Sequence, residues 1–284
     1  MDRIAHAFAD CRAAGRKALV AFVTAGDPDL AATERLVTAV AGAGADIIEL
    51  GVPFSDPMAD GPTIQESSQR ALAAGTTLAG ILEMVARVRR ETAVPLVLFS
   101  YYNVVFQYGV ERLAAAAAKA GIDGVLLVDV PLEELGEVEP ALDRFALPVI
   151  RLVAPTTPPE RIAQITAAAS GFVYCITVTG VTGARAELPA DLGLQLERVR
   201  AVSPVPVVAG FGIASPEMAT AVAAHADGVV VGSALVKRMA GAGNVDERIA
   251  ACRQFVAELA AALRRAALPP AQESRRPGPG RAET

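Results

Sequence analysis

The sequence predicts a single (β/α)8 barrel, and three observations carry that expectation. Eight short runs rich in Val, Ile and Leu recur along the chain, each closed by Gly, Asp, Asn or Pro. Near-continuous apolar runs are what parallel strands covered on both faces require. Ala- and Leu-rich segments with helical spacing lie between them, giving a repeat of about 30 residues. The first run leads into Thr24-Ala25-Gly26-Asp27-Pro28. An open doubly wound sheet, the rival architecture, would normally carry GxGxxG there.

Taken in order, Ile4 to Ala14 reads as a helix placed to plug the barrel bottom. Strand one is Ala18 to Thr24, followed by a helix over Leu30 to Ala43, and strand two is Asp46 to Gly51. The gap before strand three, Pro95 to Ser100, is much longer than the others and predicts inserted structure. A helix over Glu111 to Ala120 stops at Gly121, a C-terminal signal. Strands four and five are Gly124 to Asp129 and Pro148 to Val153. Thr157-Pro158-Pro159-Glu160 reads as a capping box with proline in the first turn. Strand six is Gly171 to Thr177 and strand seven Val205 to Gly210, with Ser215-Pro216 opening the next helix. Strand eight, Asp227 to Gly232, leads into a short helix over Ala234 to Met239, and Val245 to Ala266 is the last helix. Residues 1–268 are thus expected to form one catalytic barrel. Pro269 to Thr284, rich in Pro, Gly and charge, is expected to be a disordered tail.

Composition narrows the function. The 284 residues are 52% hydrophobic and 20% charged, with a formal net charge of -5. Of 26 basic residues 23 are Arg, and they are scattered rather than clustered, which argues against a nucleic-acid partner. The Arg excess fits a GC-rich bacterial genome. Three distant cysteines (Cys11, Cys175, Cys252) form no disulfide framework and suit a reducing cytoplasm. The charged N-terminus does not read as a signal peptide, and no stretch of about 20 uncharged apolar residues suggests a membrane span. Tryptophan is absent, although about three would be ordinary in a chain of this length.

Barrel enzymes carry their reactive groups at the C-terminal ends of strands and in the loops that follow. Glu49 sits there, inside the apolar run Ile47-Ile48-Glu49-Leu50. Alternation puts Ile47 and Glu49 on one face. If that face is the interior, desolvation raises the carboxyl pKa toward a range useful for proton transfer. The alternative is a structural ion pair, with Arg151 of strand five as partner. Asp60 follows in the next loop, where Asp-Gly is also a plain turn signal, and Asp56 before Pro57 is open to the same structural reading. Two carboxylates at one mouth can divide acid and base roles if their environments differ.

Gly180 to Gly183, Gly210 to Gly212 and Gly232-Ser233 end three consecutive strands, the last before a short helix. That corner of a barrel is a recurrent phosphate site, although glycines also simply end strands. None of the three lysines (Lys17, Lys119, Lys237) lies at the C-terminal end of a strand, and no His-based ligand cluster is evident, so no Schiff base or metal is expected. Phe22, Phe99, Tyr101, Tyr174 and Phe211 would line the mouth for a flat apolar or aromatic substrate part, core packing being the alternative for each.

The run from Glu49 to Gln65 (ELGVPFSDPMADGPTIQ) resembles the most specific motif of the tryptophan synthase alpha subunit family. Phe22 to Pro28, Gly180 to Gly183, Gly210 to Gly212 and Gly232-Ser233 match its other blocks in order, whereas Val178-Thr179 stands where some relatives carry Arg-Ala. The resemblance implies retro-aldol cleavage of indole-3-glycerol phosphate to indole and glyceraldehyde 3-phosphate. It implies Glu49 as proton shuttle and Asp60 as partner of the indole N–H. It also implies substrate contacts from Phe22, Ile64, Phe99, Tyr101, Leu126, Tyr174, Thr182, Gly183, Phe211, Gly212, Gly232 and Ser233, with Thr182 on a closing loop. Pro53, Asp56 and Asn103 match positions facing a pyridoxal-phosphate beta subunit in an α2β2 complex, the chain itself having no cofactor. A stand-alone lyase releasing free indole and a non-catalytic activating subunit are the alternatives.

Overall fold

Eight parallel strands close a barrel in chain order: β1 (Ala18–Thr24), β2 (Ile47–Gly51), β3 (Leu96–Ser100), β4 (Gly124–Leu127), β5 (Val149–Val153), β6 (Val173–Ile176), β7 (Val207–Gly210) and β8 (Gly228–Val231). The computed structural model describes residues 2–176, 191–210 and 212–265. β8 returns to β1 with Ala18 opposite Gly228, which closes the ring. Helices α1 (Arg3–Ala13), α2 (Leu30–Ala43), α3 (Pro62–Ala73), α4 (Leu78–Val88), α5 (Tyr102–Tyr108) and α6 (Val110–Ala120) belong to the first half. Helices α7 (Glu139–Asp143), α8 (Pro159–Ala167), α9 (Leu192–Val202), α10 (Pro216–Ala223), α11 (Ser233–Met239) and α12 (Val245–Arg265) belong to the second. The inserted structure between β2 and β3 is the pair α3 and α4. No single described helix is long and apolar enough to cross a membrane.

Strand alternation sorts the apolar residues into two cores. Ala18, Val20, Phe22, Ile47, Val97, Leu126, Ile150, Val208 and Val230 fill the barrel interior. Their neighbours Leu19, Ala21, Ile48, Leu50, Leu98, Val125, Val149 and Val153 pack outward against the helices. The expected plug is present. Asp2 accepts from Ala5 N–H at 2.9 Å to start α1, and Ile4, Phe8 and Cys11 seal the inner core from below, Phe8 lying 5.9 Å from Phe172.

One device recurs at the bottom of the barrel. Asp46, Asp123 and Asp227 each stand just before a strand, and each exchanges two hydrogen bonds with a residue of the strand before. The Asp carboxylates accept from the N–H of Leu19, Leu96 and Val207 at 2.8, 2.8 and 3.0 Å. The Asp N–H groups donate to the carbonyls of the same residues at 2.8 Å. Each carboxylate also takes guanidinium: Arg16 on Asp46, Arg3 and Arg89 on Asp123, Arg200 on Asp227.

Several expected boundaries shift for local reasons. β4 stops at Leu127 because the Asp129 carboxylate turns to accept Tyr102 N–H at 2.8 Å. β7 starts at Val207, after Pro206, which has no N–H for the ladder. Thr157 is not a helix cap: Pro158 holds that position, and the Thr157 hydroxyl accepts from Ala154 N–H at 3.1 Å instead. Ser215 caps α10 as expected, and Gly121 ends α6 with φ 97°. His225 lies just past α10, its Nδ1 3.0 Å from the Glu197 carboxylate. Ala266, the Pro269–Thr284 segment, and Thr182, Gly183 and Phe211 lie outside the described residues.

The Asp123 side chain is 6% exposed, and removing it leaves the 11%-exposed Arg89 without its carboxylate. Asp123→Ala is therefore expected to cost about 3 kcal/mol of unfolding free energy in urea titration.

Candidate active site

Glu49 is fully buried within the barrel, opposite Phe22 on β1 and Val97 on β3. Its face is the inner one: Ile47, two residues earlier, belongs to the inner core, and Ile48 and Leu50 belong to the outer. Neither carboxyl oxygen has a hydrogen-bond partner among the described residues. Burial alone pushes its pKa up to about 8, so at neutral pH the group holds its proton. The ion pair with Arg151 is excluded. Arg151 shares the outward parity of Val149 and Val153, bonds Glu139 on α7 and donates to the Ala168 carbonyl at 3.3 Å.

Toward the C-terminal mouth a cavity of about 150 Å³ opens. Phe22, Asp60, Ile64, Phe99, Tyr174, Gly212, Gly232 and Ser233 line it, all singled out by the sequence. Its aromatic wall is continuous: Phe22 meets Phe99 edge-on at 5.2 Å, and Phe99 meets Tyr174 at 6.4 Å. Two glycines make that wall possible. A Cβ on Gly51 would meet the Phe22 ring at 2.4 Å, and one on Gly210 would meet the Tyr174 hydroxyl at 2.3 Å. Asp60 projects from the loop between β2 and α3. Burial raises its pKa to about 6, against a lowering hydrogen bond from Tyr101. Gly212 lines the same cavity as Gly232, which directly precedes α11, and no side chain caps the first turn of that helix.

Two assigned substrate contacts stand elsewhere. Leu126 is fully buried in the inner core and does not line the cavity, whereas Val128, two residues further along the same face, does. Tyr101 is also absent from the lining and hydrogen-bonds Asp60 instead. The sequence reading missed Ala59, Val128, Leu152, Ile176 and Val230 as lining residues, whereas Gly210, part of the glycine corner it singled out, does line the cavity. Leu152 and Val230 share the inward parity of Ile150 and of the inner core. Of the residues matched to a partner face, Asp56 and Asn103 are exposed and Pro53 is buried. Met58 and Phe106, 92% and 61% exposed, add apolar surface beside them.

Comparison with known proteins gives one consistent result. The family model described as tryptophan synthase alpha chain matches residues 8–265. The chain is 59% identical over 237 residues to the tryptophan synthase alpha chain of Geobacter sulfurreducens, covering 84% of this chain and 90% of the relative. It is 48% identical to that of Caldanaerobacter subterraneus, covering 91% and 98%. Among solved structures, tryptophan synthase from Mycobacterium tuberculosis superposes with a TM-score of 0.85 at 38% identity, covering 93% of this chain and 98% of that one. The alpha subunit from Legionella pneumophila gives 0.85 at 37%, with the same coverage.

The buried Glu49 carboxyl makes stability depend on pH. An unfolded glutamate releases its proton near 4.5, and the native one near 8. Between those values the native state binds more protons, so stability falls as pH rises. A Glu49→Gln variant lacks that fall. Its melting temperature relative to the parent is expected to rise by several degrees from pH 5 to pH 8, read by calorimetry. An unchanged difference would count against a partnerless buried acid.

Proposed function

The chain belongs to the tryptophan synthase alpha chain family, and from that membership we propose how its barrel cleaves indole-3-glycerol phosphate. The reaction itself is that of the family: a carbon–carbon lysis giving indole and glyceraldehyde 3-phosphate. An alpha chain works with a beta subunit and carries no cofactor of its own. The roles of individual residues are our reading, and one observation carries it: a carboxyl with no partner among the described residues, buried inside the barrel below an aromatic-walled cavity.

In this reading the indole ring lies along Phe22, Ile64, Phe99 and Tyr174, with Leu126 supporting the floor from the inner core. Glu49 arrives protonated and gives its proton to indole C3, which makes the ring an indoleninium cation. The Glu49 carboxylate then takes the proton of the hydroxyl on the adjacent glycerol carbon. The bond from that carbon to C3 breaks, its electron pair restores the neutral indole, and the aldehyde leaves. Glu49 ends as it began, protonated. Asp60, with a pKa of about 6, is mostly ionised at neutral pH and accepts the N–H that becomes acidic in the cation. Apolar walls keep this ion pair in a poorly screened site.

Gly212, Gly232 and Ser233 would hold the phosphate with backbone N–H groups, a hydroxyl and the first turn of α11. Thr182, Gly183 and Phe211, outside the described residues, are proposed to complete the closed site. Pro53, Asp56 and Asn103 are proposed to face the beta subunit in an α2β2 complex. Pyridoxal phosphate is assigned to that subunit and the whole assembly to the cytoplasm. Residues 1–268 are taken as the catalytic domain and 269–284 as a tail apart from it.

Indole release from indole-3-glycerol phosphate tests these roles. Glu49→Gln is expected to lower kcat about a thousandfold while leaving phosphate-ligand affinity nearly unchanged. Asp60→Asn is expected to lose activity with the fold intact by circular dichroism. Adding beta subunit is expected to raise the rate of the parent chain. High activity that ignores the beta subunit would favour a stand-alone lyase, and full activity of Glu49→Gln would overturn the shuttle.

A further inference from the structure

Tyr101 behaves differently from the other aromatic residues of the site. It does not line the cavity, and its hydroxyl is spent on the loop that carries Asp60. Ala59 N–H donates to Tyr101 Oη at 3.0 Å, and Oη–H donates to Asp60 Oδ2 at 3.1 Å. The phenol thus ties the backbone of one residue to the carboxylate of the next.

The ring that carries this hydroxyl is itself fixed. Tyr101 is 5% exposed and packs against Phe54, with centroids 5.1 Å apart at 33°. It sits at the start of α5, where Asp129 holds the following N–H at 2.8 Å. The loop is anchored twice more: Val52 N–H donates to the Phe99 carbonyl at 2.8 Å, and Gln65 Nε2 donates to the Asp60 carbonyl at 2.8 Å. Gln65 fixes the backbone of Asp60, and Tyr101 fixes its side chain.

We propose that Tyr101 is the positioning residue of Asp60: it holds one carboxylate oxygen in place and leaves the other for the indole N–H. The inference rests on the reading of Asp60 as acceptor of that N–H. A phenolic donor favours the charged carboxylate and opposes the desolvation that would neutralise it. Among the described residues, the ionisable groups around this pair are Tyr174, which also faces Glu49, and Asp129, which faces Tyr101. None of them is cationic, and no described Lys, Arg or His is among the causes that shift Asp60. Among the described residues, Tyr101 is accordingly the group whose hydrogen bond favours the ionised form of Asp60.

The test uses the full chain with Tyr101→Phe, Asp60→Asn and the double variant, plus a direct titration. Carbon-13 NMR of the Asp60 carboxyl in the ligand-free protein is expected to show it titrating at higher pH in Tyr101→Phe than the parent value of about 6. The acid limb of kcat/KM should move the same way, with about a tenfold loss near pH 6 and a smaller one near pH 8.5. In the Asp60→Asn background, Tyr101→Phe should change kcat/KM less than twofold. An unmoved Asp60 titration, or the same tenfold loss in both backgrounds, would overturn the inference. An Asp60→Asn chain with parental activity would instead overturn the underlying reading of Asp60.

Discussion

A carboxyl group placed where neither water nor a described partner reaches it is the constraint on which the site depends. Glu49 is fully buried, both its oxygens lack partners among the described residues, and the barrel supplies no compensating cation from β5. Such a group is tolerated only as the neutral acid, since charging it there would cost several kcal/mol. The same exclusion of water that makes it costly makes it useful. A neutral carboxylic acid at physiological pH can give a proton to a weakly basic carbon and take another back.

The surrounding structure serves that placement. The pairing of β1 with β2 sets Phe22 beside Glu49, and Gly51 leaves room for the Phe22 ring. The α1 plug and the aspartate clasps close and register the lower end of the barrel, so the reactive layer lies above a sealed floor. Asp60 sits in a different environment, on a loop, part-exposed and hydrogen-bonded. The two carboxyls are therefore driven apart, to about 8 and about 6, which suits them to the complementary roles proposed for them at one pH.

The barrel was legible because its signal is repeated: eight apolar runs of strand length cannot easily be accommodated otherwise. Glu49 was legible because a charge inside Ile47 to Leu50 is an exception that demands a reason. Arg151 shows where the pattern fails. Both faces of a covered parallel strand are apolar, so alternation puts Arg151 and Leu152 on opposite faces of Val149 to Val153 without saying that Arg151 is the outward one, and the packing against Glu139 and Ala168 decides it. Depth along a strand was equally hidden. Leu126 and Val128 share a face, but the tilt of the barrel puts Val128 at the cavity and Leu126 a layer below. Asp46 and Asp227 read simply as strand starts and Asp123 drew no reading, because the partners that give these carboxylates a role lie on a neighbouring strand. Thr157 failed as a cap since Pro158 followed it and took the position.

The central claim is that Glu49 carries its proton at neutral pH. Isotope-edited infrared difference spectroscopy of the parent chain against Glu49→Gln would read that proton directly. The account predicts a protonated carboxylic-acid carbonyl band for Glu49 at pH 7 that gives way to a carboxylate band as pH rises through about 8. A carboxylate band already present at pH 6 would contradict it.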